Sequence, residues 1–253
     1  MKYFSKKSCA WAIVVAFTVT FSLAATRAYA AGEDGKEIYK KYCAPCHGAE
    51  GKGDGPVAKS IFPKPRDFTT GAYKIRSTPS GSLPTDDDLL RAISYGMPGT
   101  SMTPWDVLDA NQIKALLPIL KGFSEAFAVR KPEAPVAVGM EIRATEETIA
   151  AGKKIYEEKE CWKCHGFEGR GDGPSAGGLE DDWGNPSQVF DFTMGKNLRG
   201  GNSDKDIYLR FTTGMTGSPM PSFATELTDE QRWQLVHYVK ALMTPALVAK
   251  GGE

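Results

Sequence analysis

Four cysteines and two histidines form two copies of one short pattern. The copies are Cys43-Ala-Pro-Cys46-His47 and Cys161-Trp-Lys-Cys164-His165. Cysteines at positions i and i+3 lie on one face of a helical turn, so their sulfurs can reach the two vinyl groups along one porphyrin edge. The adjacent imidazole then lies under the ring, where a nitrogen can bind iron. This spacing predicts two haem c groups, each bound covalently through its pair of cysteines.

Other uses of these residues fit the pattern less well. A disulfide does not need a histidine directly after each cysteine pair. A structural zinc site needs four ligands, and each copy offers three. A thioredoxin-like pair is expected within a βαβ unit, which the flanks rich in glycine and proline do not provide. The remaining cysteine, Cys9, lies in an N-terminal segment that we expect to be removed.

Each predicted iron needs a second axial ligand, and methionine is the better candidate. Each copy offers two: Met97 and Met102, then Met215 and Met220. The later residue of each pair lies in a loop containing proline that could approach the far face of the ring, whereas the earlier one follows a helix directly and is expected to pack. We therefore predict Met102 and Met220 as iron ligands. The third histidine of the chain, His237, has no counterpart in the first copy and is expected to be a packed or surface residue.

The two copies belong to an internal repeat. Residues 51–56 match 169–174 and residues 88–97 match 206–215, at the same offset of 118 that separates the cysteine pairs. An Asp-Phe-Thr triplet recurs at an offset of 124, because the second copy has six extra residues before that point and six fewer after it. The repeat predicts two domains of similar structure.

The elements that position these residues are predicted to be helices. Each copy has a short helix before its first cysteine, a long loop, a helix that begins after Thr85 or Ser203, a methionine-bearing loop and a closing amphipathic helix. The second closing helix is predicted to begin at Thr228. The first is predicted at residues 111–120, with a kink at Pro118.

The N-terminus predicts export. Lys2, Lys6 and Lys7 precede an uncharged, mostly apolar stretch, and residues 28–30 (Ala-Tyr-Ala) fit a cleavage site. Residues 1–30 are therefore predicted to be a signal peptide of the general secretion pathway, which places the protein in the periplasm. The alternative is an uncleaved membrane anchor, but the apolar stretch is shorter than the roughly 20 residues that a membrane span needs.

Domain boundaries follow from the repeat and from a stretch rich in proline. We predict a first domain at residues 31–123, a linker at 124–146, a second domain at 147–246 and a tail at 247–253. The formal net charge is +0, and removal of the signal peptide takes away four basic and no acidic residues. This charge gives no indication of a nucleic-acid partner.

The order of these motifs resembles class I cytochrome c, and the doubling resembles the tandem dihaem periplasmic cytochromes c. The resemblance covers residues 33–122 and 147–243. It implies an all-α fold of two tandem class I cytochrome c-like domains, each wrapped around one covalently attached haem c. It also implies His47 and His165 as the proximal iron ligands and supports the two methionines as distal ligands.

Further residues are expected to support the haems. The resemblance implies that the carbonyls of Pro56 and Pro174 accept a hydrogen bond from the imidazole Nδ1–H, which would fix the ring. Arg76 and Arg199 lie at roughly equivalent places, and a guanidinium suits a haem propionate. Both lie in a segment that is longer than in a minimal class I domain and has no role implied by the resemblance.

Two haems with histidine and methionine ligands predict single-electron transfer between protein redox partners, because neither iron keeps an open position. One alternative is a cytochrome subunit of a larger oxidoreductase complex. A less favoured one is an enzyme, either a dihaem peroxidase or a thiosulfate dehydrogenase. These enzymes would use a haem that can open, a distal histidine or a distal cysteine, and only His237 is spare. A membrane partner is expected only if the signal peptide is not cleaved.

Overall fold

The computed structural model describes residues 34–244. The predicted signal peptide and the C-terminal tail lie outside these residues, as does Cys9. Within them the regular secondary structure is helical, apart from one isolated bridge between Glu180 and Pro186. The all-α prediction is confirmed. None of the helices in this range is both long and apolar enough to cross a bilayer.

The first unit, which precedes the linker, opens with a helical run that carries its cysteines. α1 (Gly35–Ile38) continues into a π-helical turn (Tyr39–Cys43) and then into α2 (Ala44–His47). The later helices are α3 (Asp86–Tyr95), α4 (Ala110–Ala115) and α5 (Leu117–Gly122), and a short 3-10 turn lies at Ala58–Ser60. The closing helix is broken between α4 and α5, next to Pro118, which confirms the predicted kink.

The second unit, which follows the linker, repeats this order. The linker itself holds α6 (Ala126–Val129), and the second unit holds α7 (Glu146–Glu158), α8 (Trp162–His165), a 3-10 turn (Phe192–Met194), α9 (Asp204–Thr213) and α10 (Asp229–Met243). The predicted helix starts are confirmed, since the side chains of Thr85, Ser203 and Thr228 each accept a hydrogen bond from the third residue of the helix they precede.

A glycine lets the first helix of each unit cross the closing helix at short range. A Cβ atom at Gly152 would overlap the backbone carbonyl of Gln234 in α10, and one at Gly35 would overlap the carbonyl of Ala115 in α4. Beside the second crossing, Ile155 packs into the same buried cluster as the closing helix. The two crossings hold the cysteine-bearing turns against the core of each unit.

Gly152→Ala should therefore lower the free energy of unfolding by about 1–3 kcal/mol, because the added methyl group forces α7 away from α10. Thermal unfolding followed by circular dichroism measures the loss. Gly177→Ala, in the same unit, is the matched control, since a Cβ there meets nothing within 4 Å. Equal melting temperatures for the two variants would show that the crossing tolerates a side chain.

The long segment and α3 of the first unit contact α9 of the second unit. Arg76, only 1% exposed, donates from Nη2 to the carbonyl of Thr213 (3.0 Å), and Arg210 donates back to the carbonyl of Arg76 (3.4 Å). Arg91 and Asp206 form an ion pair of 2.7 Å across the same contact. The segment to which the family resemblance gave no role therefore builds the interface between the units.

The linker is fixed to both units. Val136 N donates to the carbonyl of Ser77 in the first unit (2.8 Å), and Trp233 Nε1 of the second unit donates to the carbonyl of Gly139 (3.1 Å). The ring of Phe127 in α6 also contacts the ring of Tyr73. These contacts bind the segment between the units to both of their surfaces.

Candidate functional site

The ligands that the sequence predicts for the first unit lie around one cavity, which is called the first cavity below. Cys43, Cys46 and His47 line it from one side, and Met97 and Met102 also contribute to its wall. Much of the remaining wall is aromatic or aliphatic, including Tyr42, Phe68, Leu89, Ile93 and Leu120. An apolar cavity with two thiols and an imidazole at one edge fits a haem c that is attached through thioethers.

The loop after each cysteine–histidine turn folds back along that turn. Gly53 N donates to the carbonyl of His47 (2.8 Å), and the second unit repeats this bond. The pairing leaves Pro56 and Pro174 exposed. The prediction that their carbonyls bind the imidazole is wrong, because His47 Nδ1 faces another carbonyl and His165 Nδ1 makes no hydrogen bond within residues 34–244. Instead, the carbonyl of Arg66 lies 3.1 Å from His47 Nδ1. The chain returns past the cysteine–histidine turn at this residue, ten positions after Pro56.

The second unit places a different residue at the corresponding point. Phe190 precedes the second Asp-Phe-Thr triplet just as Arg66 precedes the first. Its carbonyl lies near His165, where it opposes the effect of burial on the imidazole pKa. His165 Nδ1 is buried and makes no hydrogen bond within residues 34–244. In the first unit the carbonyl of this position lies at hydrogen-bond distance from the imidazole, and in the second unit the carbonyl of the same position lies near the imidazole without a hydrogen bond.

Both imidazoles stack on a phenylalanine that sequence reasoning did not select. The rings of His47 and Phe68 lie 4.5 Å apart at 19°, and those of His165 and Phe192 lie 4.7 Å apart at 15°. Both phenylalanines come from the repeated Asp-Phe-Thr triplet, so their repetition was the available signal. Stacking limits rotation of the imidazole and orients its free nitrogen.

Burial sets the protonation of the candidate ligands. It lowers the pKa of His47, and it lowers the pKa of His165 to about 4, so both imidazoles are neutral at pH 7, the form that binds iron. Burial also raises the pKa of Cys43 and of Cys161 to about 11. A thioredoxin-like pair would need a lowered thiol pKa, so this environment does not favour that alternative.

The methionine loops close on themselves. Met97 N donates to the carbonyl of Met102 (2.7 Å), and Met215 N donates to the carbonyl of Met220 (3.1 Å). Met97 and Met102 both line the first cavity, so the position of the cavity does not choose between them. The assignment of Met102 and Met220 as iron ligands remains a prediction.

Of the two arginines predicted to bind haem propionates, one lies at the contact between the units and the other lines a cavity. The guanidinium of Arg76 is buried at the contact between the units, where it donates to the carbonyls of Tyr73, Pro79 and Thr213. Arg76 does not line the cavity, so the prediction for this residue is wrong: its donors are used by the backbone. Arg199 does line a cavity, but that of the first unit rather than its own.

His237 is a packed residue, as expected. It is 4% exposed, and its Nδ1 atom lies 2.9 Å from Thr148 Oγ1. The contact joins α10 to α7 in the second unit. His237 is also not among the residues that line the first cavity.

Comparison with known proteins agrees with this geometry. Residues 149–243 match the sequence family described as cytochrome c, and residues 30–117 match the one described as cytochrome c oxidase, cbb3-type, subunit III. The chain is also similar to a chain of the reducing HAO-like protein complex of Kuenenia stuttgartiensis. The two are 64% identical, with a TM-score of 0.81, over 83% of this chain and 96% of the other. No curated protein matched.

Proposed function

The chain belongs to the cytochrome c family, and from that premise we propose that it works as the bound cytochrome subunit of a redox complex in the periplasm. It carries two covalently bound haem c groups and transfers electrons between protein redox partners. The observation that carries the proposal is its 64% identity, over nearly all of the other chain, to a component of a complex. The signal peptide predicted at residues 1–30 supports the location.

The residues of the chain have defined roles in this function. When bound, a haem iron exchanges one electron between its ferric and ferrous states. The paired cysteines hold the group by one edge, and the buried neutral histidines offer one nitrogen to the metal. Phe68 and Phe192 orient these histidines, and the apolar wall keeps water away. A fixed site suits electron transfer because little has to rearrange when one electron is gained or lost.

We propose that the chain has no catalytic reaction of its own. A dihaem peroxidase would use a spare histidine, and a thiosulfate dehydrogenase would use a spare cysteine. His237 is bonded to Thr148, and all four cysteines within residues 34–244 belong to the two haem-attachment motifs. The chemistry of the assembly would then lie in the partner protein, to which this chain brings electrons or from which it takes them.

Native purification tests the proposal. The chain, tagged at its C-terminus and expressed in its own host, should be found in the periplasmic fraction, with an N-terminus at Ala31. It should elute in size-exclusion chromatography together with one second redox protein in a constant ratio. A cytoplasmic marker enzyme controls the fractionation. A species with the mass of a single chain would favour a free shuttle and contradict the proposal.

A further inference from the structure

Four cationic side chains line the first cavity, and one of them, Lys64, donates to the backbone carbonyls of Ala58 and Lys59. The other three are Arg66 and Lys74 of the first unit and Arg199 of the second. None of the three forms an ion pair with any residue in the range 34–244. A partly buried charge without a partner is costly, so such a cluster indicates that an anion binds there.

The effect of burial on these cations supports their clustering. Burial lowers the pKa of all three groups, that of Lys74 to about 8. The positive charges of Arg66 and Arg199 lower the pKa of Lys74 further, which shows that the three groups lie near one another. The carboxylates of Asp181 and Asp182 offset this only in part.

Two buried hydrogen-bond donors in the same wall also lack partners. The hydroxyl of Tyr73 and the Nε1–H of Trp105 are buried, and neither has an acceptor within residues 34–244. Both residues line the first cavity together with the three cations. Buried donors are nearly always paired, so an acceptor in the cavity is expected. Cationic and neutral donors together match the carboxylate groups of a haem.

Two of these donors, Arg66 and Trp105, have no counterpart in the second unit. Phe190 replaces Arg66, as the repeat shows. Phe223 replaces Trp105, since Trp105 N donates to the carbonyl of Ile93 and Phe223 N donates to the matching carbonyl of Phe211. At these two positions the first unit has a guanidinium and an indole N–H where the second unit has phenylalanine rings.

The first site is completed by residues of the second unit. Arg199 and Met215 both come from that unit and line the first cavity. The guanidinium of Arg66 lies over the ring of Trp183, 4.4 Å from its centroid, so a residue of the second unit also positions a first-unit cation. The contact between the units is thus part of the first site.

We propose that Arg199 of the second unit binds the carboxylates of the haem attached to the first unit, together with Arg66 and Lys74, and that it raises the reduction potential of that haem. Ferric haem carries one more positive charge than ferrous haem, so a nearby fixed cation favours the reduced form. The potential of the first haem then depends on the contact between the units. The inference rests on the bound haems and is independent of any partner protein.

A spectroscopic redox titration of the purified protein tests the inference. Arg199→Gln should shift the reduction equilibrium of the first haem about tenfold toward the oxidised form, which is about 59 mV for one electron. The step of the second haem should move much less. Arg199→Lys, which keeps the charge, should retain most of the original potential. Arg143→Gln is the matched control, because it removes the same charge from an exposed arginine.

The first-haem step is identified as the one that moves when the axial methionine of the first unit is replaced. The proposal would be overturned if Arg199→Gln left both reduction potentials unchanged or shifted both equally. It would also be overturned if the variant titrated like Arg143→Gln. Haem content is measured first for each variant. If Arg199→Gln binds fewer than two haems, Lys74→Gln removes a cation from the same cluster, and an unchanged first step in that variant would also overturn the proposal.

Discussion

Replacing Cys43 and Cys46 together by alanine is expected to leave a protein with one covalently bound haem. Each haem is held by its own pair of cysteines, and the two pairs lie in separate units. A haem bound only through axial ligands is extracted by acidic acetone, whereas a thioether-bonded haem remains with the chain. The ratio of haem to protein after extraction should fall from two to one. The mass of the denatured chain should fall by one haem.

The matched variant replaces Cys161 and Cys164, and it should give the same loss through the other unit. Replacing all four cysteines should leave a chain with no pigment after extraction. The single cysteine of the signal peptide region, Cys9, offers a further control, because its replacement should change nothing in the mature protein. Two haems retained in the Cys43/Cys46 variant would mean that the pattern does not attach the group.

Local signals in the sequence were sufficient to predict where α3, α9 and α10 begin and where the first closing helix is broken. Thr85, Ser203 and Thr228 precede their helices with side chains that accept backbone hydrogen bonds, and Pro118 interrupts the first closing helix. Such signals act within four residues, so they can be recognised without knowledge of the fold. Because the sequence is repeated, each helix-start signal occurs twice and the elements follow the same order in both units.

The surroundings of the haem ligands could not be predicted in the same way. The acceptor for His47 is the carbonyl of Arg66, nineteen residues further along the chain, and any backbone carbonyl in that loop could have filled the role. The family resemblance pointed to Pro56, but in this chain the loop pairs with the cysteine-bearing turn and leaves that proline exposed. The return path of a long loop depends on its tertiary contacts, which composition does not reveal.

The contact between the units was the largest omission. Arg76 was expected at a haem edge because its residue type suits a carboxylate, yet it binds the carbonyl of Thr213 at a separation of 137 residues. Arg199 does reach a haem cavity, but that of the other unit. A repeated sequence predicts two similar domains and contains no signal for which surfaces meet. Residues with suitable chemistry can therefore be found from the sequence, while the haem they serve cannot.

The axial ligand of the first haem can be identified by comparing two single variants, Met102→Leu and Met97→Leu. Both methionines line the same cavity, and the loop geometry joins them by the bond from Met97 N to the carbonyl of Met102. A methionine thioether stabilises ferrous iron and produces a near-infrared band in the oxidised protein. Met102→Leu should therefore halve the amplitude of that band. It should also lower one of the two potentials by on the order of 100 mV, within the range of about 0.8 V that axial ligands span.

Met97→Leu should leave the band at full amplitude and both potentials nearly unchanged, because leucine conserves the volume of a packing side chain. Met220→Leu and Met215→Leu provide the same comparison in the second unit, where Met215 also contacts the first cavity. Met215→Leu is thus expected to keep the near-infrared band at full amplitude, because the Met215 side chain lines the first cavity and binds no metal. Loss of half the band in Met97→Leu, with full retention in Met102→Leu, would reverse the assignment within the loop. The thioether nearer to α3 would then be the ligand, and the loop containing proline would only close the cavity.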